Sequence, residues 1–300
     1  MTETMAYLMG MIVGKGTIQQ RENDTNFIVS IPHKAQYTDA THNVILAVQA
    51  SVADIMRTIQ PLLQTNINFH TGRHETKLYF TKPNNDTLVN EILRLCNGQT
   101  IWETMRIPDY FFSQATREEI KYFLRGLADV TGHARSSNHA YHSSANQHRV
   151  YIEIPKNWFL VVDICNLLKR IDVPVQNIDW AHPNIRDGKL TKYNKGNRNF
   201  WKKEHQIKIF ANEFLTVGFN IIHKNQGLQE LSNQLIATYL AQHNNRDPRL
   251  LTHRFYWEVP QRQQTKPYHP GEDDIFIPTI IRGRHFNSWR EIASSLGYRR

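Results

Sequence analysis

The residues best placed to do chemistry in this chain are unevenly spread. Between His182 and Lys203 stand Arg186, Lys189, Lys192, Lys195, Arg198, Lys202 and Lys203, against the single acid Asp187, with Tyr193, Phe200 and Trp201 interleaved. Cations alternating with aromatic rings suit a phosphate backbone, so this stretch reads as a backbone-binding loop; the plainer reading is a solvated basic loop. His133, His139, His142 and His148 crowd a second polar run. Their spacing matches no zinc pattern and no cysteine lies nearby, so they read as incidental and no metal site is assigned. Cys96 and Cys165 sit singly in apolar helical patterns, as core thiols in a reducing setting, not as a disulfide. Asp129 is a lone acid in an otherwise apolar run.

Composition narrows the partner. Lys and Arg number 36 against 27 Asp and Glu, a net charge of +9 that favours an anionic partner such as nucleic acid or a membrane surface. No stretch approaches the ~20 apolar residues of a membrane span. Met1 to Val13 is apolar but carries Glu3 and lacks a basic start, so it does not read as a signal peptide. A cytoplasmic or nucleoid-associated protein is expected, with an organelle as the alternative.

The elements that must position these residues come twice. Tyr7-Leu8-Met9-Gly10-Met11-Ile12-Val13-Gly14-Lys15-Gly16 has a partner, about 116 residues on, in Phe123-Leu124-Arg125-Gly126-Leu127-Ala128-Asp129-Val130-Thr131-Gly132. Each is an apolar helix with one glycine inside and a second six residues later, where the helix should stop. A turn-rich stretch, Gln19 to Asn26, follows the first copy, and a longer polar loop, His133 to Gln147, follows the second. Next come alternating strands that place Phe27, Val29 and Ile31 on one face, and Val150, Ile152 and Ile154 likewise. Helices are expected over Asn43 to Leu63 and Trp158 to Ile171. Further strands follow at Lys77 to Phe80 and Gln206 to Ile209, then short helices at Asp86 to Cys96 and Asn212 to Val217. A strand before each of those last strands is only faintly visible.

The fold class is therefore α+β: two pseudo-symmetric αββαββα repeats, at about residues 1–112 and 113–240. Thr116 and Glu119 frame a capping box at the start of the second copy. Residues 241–300 form a C-terminal extension with no partner in the first half. It is rich in proline, arginine and aromatic residues and ends in a helical pattern at Ser288 to Leu296. Added DNA contacts, docking on a protein partner and cover for the sheet edge are equally open roles for it.

Gly126-Leu127-Ala128-Asp129-Val130-Thr131-Gly132, with its lead-in from Ile107, resembles the motif of the LAGLIDADG homing endonucleases. Gly10 to Gly16 is a more degraded copy, and Phe214 to Lys224 resembles the segment that closes a repeat of that family. The likeness runs from about residue 5 to 235. It implies two motif helices side by side at the centre, with Gly10, Gly14 and Gly126 letting the backbones approach. It further implies a saddle of eight strands on double-stranded DNA, in a monomer with an internal twofold. The last carboxylate of each motif would hold Mg²⁺ beside a scissile phosphate.

Carried over residue by residue, those carboxylate positions are Lys15 and Thr131, neither an anionic ligand. Asp129 matches the motif's earlier acid, which belongs mainly to the helix interface; the metal-ligand reading ranks below that one. Lys15 reads equally as a phosphate contact or as a lysine at a helix end. Displaced acids for cleavage would be Glu22, Asp24 or Glu153. Lys77 and Tyr79, with Arg149 and Tyr151, are wet-face candidates for reading bases, and Arg21, Arg73 and Arg135 lie in loops within reach of DNA. The leading expectation is a sequence-selective duplex-DNA binder that has lost cleavage and needs no cofactor. The alternatives are an endonuclease or nickase working through Mg²⁺ and Asp129 or a displaced acid, and an RNA-binding, maturase-like splicing cofactor. Whether the chain is an enzyme is left open.

Overall fold

A computed structural model of the chain describes residues 1–37, 43–136, 148–175, 177–182, 204–242, 279–281 and 284–286. The centre is a pair of helices. α1 (Glu3–Lys15) starts where the Thr2 side chain accepts the Met5 amide, and every residue from Met5 to Gly14 is buried. A helix apolar all round has no solvent face to offer, so it belongs in the middle of the molecule. Its partner is introduced after the first repeat is complete.

The first repeat continues as β1 (Gly16–Gln20), β2 (Asp24–Pro32), α2 (Val44–Leu63), β3 (Asn68–Thr71), β4 (Glu75–Pro83) and α3 (Thr87–Leu95). Its strands form an antiparallel sheet in the order β1-β2-β4-β3. The register pairs Ile18 with Phe27, Phe27 with Phe80 and Val29 with Leu78, placing these buried side chains on one face. There Phe27 and Phe80 stack at 4.7 Å.

A connection carrying the short helix α4 (Tyr110–Ser113) leads to α5 (Arg117–Thr131). The expected capping box is formed: the Thr116 hydroxyl accepts the Glu119 amide, and the Glu119 carboxylate accepts the Thr116 amide. The second repeat then repeats the order with β5 (Gly132–Ser136), β6 (His148–Pro155), α6 (Trp158–Arg170), β7 (Asn177–His182), β8 (Glu204–Phe210) and α7 (Ala211–Phe214). Its sheet has the order β5-β6-β8-β7, position for position that of the first. Val150, Ile152, Ile207 and Ile209 make its core face.

α1 and α5 touch backbone to backbone. A Cβ on Gly10 would lie 1.9 Å from the Phe123 carbonyl oxygen, and a Cβ on Gly126 would lie 2.0 Å from that of Tyr7. The two contacts exchange under the internal repeat, since Gly10 corresponds to Gly126 and Tyr7 to Phe123. Gly14 is packed by side chains instead, with Val130 Cγ2 2.9 Å from its would-be Cβ. The connection also ties the halves: Arg106 makes a two-pronged pair with buried Asp163 of α6, at 2.7 and 2.6 Å. The Asn157 side-chain amide donates to the carbonyls of Trp102 and Met105.

Several expectations are corrected. A strand begins directly at Gly16, although the sequence shows only turn residues from Gln19 onward; Ile18 is its single buried hydrophobic, too little to reveal a period. His133 and Arg135 lie in β5, not in a loop. A long helix, α8 (Ile222–Gln242), follows α7 and escaped the sequence reading. Among the described side chains of this helix, Leu228, Leu231 and Leu235 are its buried aliphatic residues, set among many Gln and Asn, so its apolar stripe is thin. In the extension, β9 (Thr279–Ile281) and β10 (Arg284–Phe286) pair as a hairpin that lies against β7. The helical pattern at 288–296 lies outside the described residues.

Candidate nucleic-acid interface

Each sheet has one face packed on helices and one turned away. In the first repeat the outward face is polar and ordered in rows by the register. Gln19, Asn26 and Thr81 form one row, Thr17, Ile28, Tyr79 and Asn68 another, and Ser30, Lys77 and His70 a third. Within the first row the Thr81 hydroxyl donates to Asn26 at 3.3 Å, and the Asn26 amide reaches Gln19 at 3.5 Å. Sequence reasoning found Lys77 and Tyr79 but missed Gln19, Asn26, Asn68, His70 and Thr81. The period of β2 already pointed Asn26 outward; the others needed the strand pairing. Lys77 is half-buried and pairs with Glu75 at 3.3 Å. Arg21 and Arg73 are exposed in the turns between β1 and β2 and between β3 and β4, at opposite corners of this face.

The corresponding face of the second sheet is buried. Arg149 is 7% exposed and Tyr151 4%, which corrects the reading of both as wet-face residues. Arg135 lies 4.1 Å from the centre of the Tyr151 ring and Lys208 lies 5.6 Å from it, while the His133 ring stacks on Tyr151 at 5.5 Å. Arg149 lies 5.6 Å from the Phe210 ring. Cations held over rings in this way keep part of their attraction without water. Burial pushes the His133 imidazole down to about 4, so it is neutral at pH 7 and contributes no charge. Arg186, Lys189, Lys192, Lys195, Arg198, Lys202 and Lys203 lie outside the described residues, as do His139 and His142. His148 is buried in β6, hydrogen-bonded with Ser136 at 3.1 Å.

Between the sheets the paired helices end at Lys15 and Thr131. The Lys15 ammonium lies 4.3 Å over the Trp102 ring. Burial lowers it to about 8, a pull that Glu204 opposes and Lys34 reinforces. The Thr131 side chain is 3% exposed and its hydroxyl donates to the Leu127 carbonyl at 2.7 Å, back along its own helix. Asp129 is fully buried; it accepts from the Tyr7 hydroxyl at 2.8 Å and the Asn220 amide at 3.0 Å. The Lys224 ammonium, also fully buried, sits 3.6 Å from its other oxygen and donates to the Ala128 and Gly132 carbonyls, closing the end of α5. Burial raises the Asp129 carboxyl and lowers Lys224 to about 8, but their proximity holds both as an ion pair.

Asp129 is therefore a clasp between helices and loop, with no open position for a metal and its waters. The residues at the helix ends do not fit Mg²⁺: one is a cation and the other has spent its hydroxyl on its own backbone. Among the described residues, no group of three or more His, Cys, Asp or Glu side chains could hold a metal ion. Glu22 is exposed in the β1–β2 turn. Both cysteines are free and buried, and burial raises Cys96 to about 12. No helix among the described residues is long and apolar enough to cross a membrane.

No protein-family model matches the chain, and no curated protein matches it. Among solved structures, the homing endonuclease I-DmoI in complex with DNA and Mn is 14% identical, with 74% of this chain and 96% of that one covered and a TM-score of 0.39. A mutant of I-SmaMI is 9% identical, over 82% of this chain and 94% of its own, with a TM-score of 0.40. Full-length DUF199/WhiA from Thermatoga maritima is 13% identical, over 83% of this chain and 63% of its own, with a TM-score of 0.43.

Proposed function

We propose that the protein binds double-stranded DNA site-selectively along the outward face of its first sheet, with the Lys15 and Thr131 helix ends beside it, and that it does not cut. The observation that carries the reading is the outward face of the first sheet. It sets Gln19, Asn26, Asn68, Lys77 and Thr81 in register beside a central lysine, with Arg21 and Arg73 at its corners. Asn and Gln side chains match the adenine edge in the major groove, which admits a β-ribbon, and corner cations match phosphates. The chain's net charge of +9 supports the same partner. Both halves of the pseudo-twofold lie in one chain, so a monomer suffices. The basic stretch from Arg186 to Lys203 would add phosphate contacts from the second half.

The chemistry of the centre supports the loss of cleavage. Metal-assisted hydrolysis needs anionic oxygen ligands open to a phosphate, whereas Lys15, Thr131 and sealed Asp129 offer none. Selection of bound duplexes from a random library, followed by incubation of the selected duplex with Mg²⁺, tests both parts. Enrichment of one site without nicked product is the expected outcome. Absence of any enriched site removes the recognition claim, and product that disappears in a Glu153→Gln variant removes the claim of lost cleavage.

A further inference from the structure

One cluster at the centre has no place in either the core or the outward face of the first sheet. Lys34, in the turn at His33–Ala35 that follows β2, crosses from the first repeat to the second. Its ammonium pairs with Glu153 of β6 and, at 3.2 Å, with Glu204 at the start of β8. Glu153 is 5% exposed, and its other oxygen accepts the Gln206 side-chain amide at 2.6 Å. Among the described residues, Lys15, Glu75, His133 and Arg135 also act on this cluster electrostatically. Among the described residues, two carboxylates from one repeat thus share one ion-pair partner supplied by the other.

We infer that Lys34 is the built-in cation of this centre, holding between Glu153 and Glu204 the place a divalent metal would otherwise take. Several observations agree. The acids implied by the motif resemblance are gone from the helix ends, and these two carboxylates stand on the adjoining sheet, next to Lys15. A carboxylate as buried as Glu153 does not persist without a cation, because removing a charge from water costs several kcal/mol. An ammonium meets that need with one charge and three donors and demands no waters, whereas Mg²⁺ needs six oxygens at ~2.0–2.1 Å. Burial works against the charge on Lys34, yet the two glutamates outweigh it and raise its pKa above the ordinary value. Burial and the neighbouring Glu153 push Glu204 up in turn, as expected where two acids depend on one partner.

The consequence for DNA rests on the proposed function: duplex binding should be indifferent to chelation of divalent ions. The cation claim itself is tested without DNA. Free Mn²⁺ is titrated with the full-length protein and followed by its electron paramagnetic resonance signal, for the wild type, Lys34→Met, and Lys34→Met combined with Glu153→Gln. Circular dichroism melts run alongside, and Lys34→Gln replaces Lys34→Met if the latter does not fold. The expected result is at least tenfold tighter Mn²⁺ binding in the single variant than in the wild type, lost again in the double variant. Wild-type protein that binds Mn²⁺ as tightly as the single variant overturns the inference. So does a folded Lys34 variant that gains no Mn²⁺ affinity. Because no DNA enters the titration, its failure leaves the DNA-binding reading standing, and the reverse also holds.

Discussion

The Phe123 carbonyl oxygen lies 1.9 Å from where a side chain on Gly10 would begin, and so fixes how closely α1 and α5 can approach. No flexible group can yield there, because the neighbour is backbone inside a helix. Gly10→Ala must therefore push the two repeats apart, with a cost beyond the about 1–3 kcal/mol usual for overpacking. Urea melts should show a loss of more than about 3 kcal/mol, or an unfolded protein. Gly72→Ala is the control, since its Cβ would meet only the Glu75 carbonyl, at 3.4 Å. It should change stability by less than about 1 kcal/mol. Equal behaviour of the two variants would mean the helices are not in backbone contact.

Asp129 is expected to be a stability residue. Asp129→Ala leaves the Lys224 ammonium buried beside the Phe219 ring without its carboxylate, and removal of one partner of such a pair costs about 3–5 kcal/mol. Lys224→Met in the same background should recover part of the loss, because it removes the stranded charge. Denaturant melts of the single and double variants measure this. A stable Asp129→Ala protein with altered nuclease activity would return Asp129 to the catalytic reading.

Lys15 gives the interface a pH dependence. Its value of about 8 means that the free protein loses this cation as pH rises through 8. A phosphate contact made by Lys15 should therefore weaken between pH 7 and 9, by up to about tenfold per unit, since one proton is linked to binding. Folding moves in the other direction. The folded-state value lies below the ordinary 10.5, so this group adds stability as pH climbs from about 8 toward 10.5, and lost affinity cannot be charged to it through unfolding. Anisotropy titrations of a selected duplex across this range, with Lys15→Met as the flat reference, check the sign. A wild-type profile as flat as that of Lys15→Met excludes Lys15 from the contact.

The corner arginines should act on salt dependence and Lys77 on selectivity. Arg21→Ala and Arg73→Ala each remove about one phosphate contact, lowering the slope of log K against log salt by about 0.9. Lys77→Ala should cost about 1–3 kcal/mol on the selected site and less on random duplex. Its tie to Glu75 at the surface is worth little against such a contact. Uniform loss across all sequences on replacing Lys77 would reassign it to the backbone.

Much of the fold was legible because the chain says the same thing twice. The glycine spacing of Gly10 to Gly16 and Gly126 to Gly132 marked the helix pair, and the periods of β2 and β6 marked the central strands. β1 was not legible and β3 only faintly so: one carries a single buried hydrophobic, Ile18, and the other none, so no alternation shows. α8 was hidden by its polar composition. The site was legible only where position in the motif decided it, as for Lys15, Thr131 and Asp129. Lys34 carried no local signal, because its partners Glu153 and Glu204 lie in the other repeat and meet it only after folding. The burial of Arg149 and Tyr151 was hidden for a like reason: alternation tells which residues share a face, not whether that face is covered.

The most direct test of the account is one binding isotherm measured twice. A duplex selected from a random pool is titrated with the protein in EDTA and again in Mg²⁺, at one pH and ionic strength, and the DNA is then run on a denaturing gel. The account predicts the same Kd in both, tighter than for a scrambled duplex, with both strands intact. Binding that appears only with Mg²⁺, or strands cut when it is present, would contradict a centre that carries its own cation.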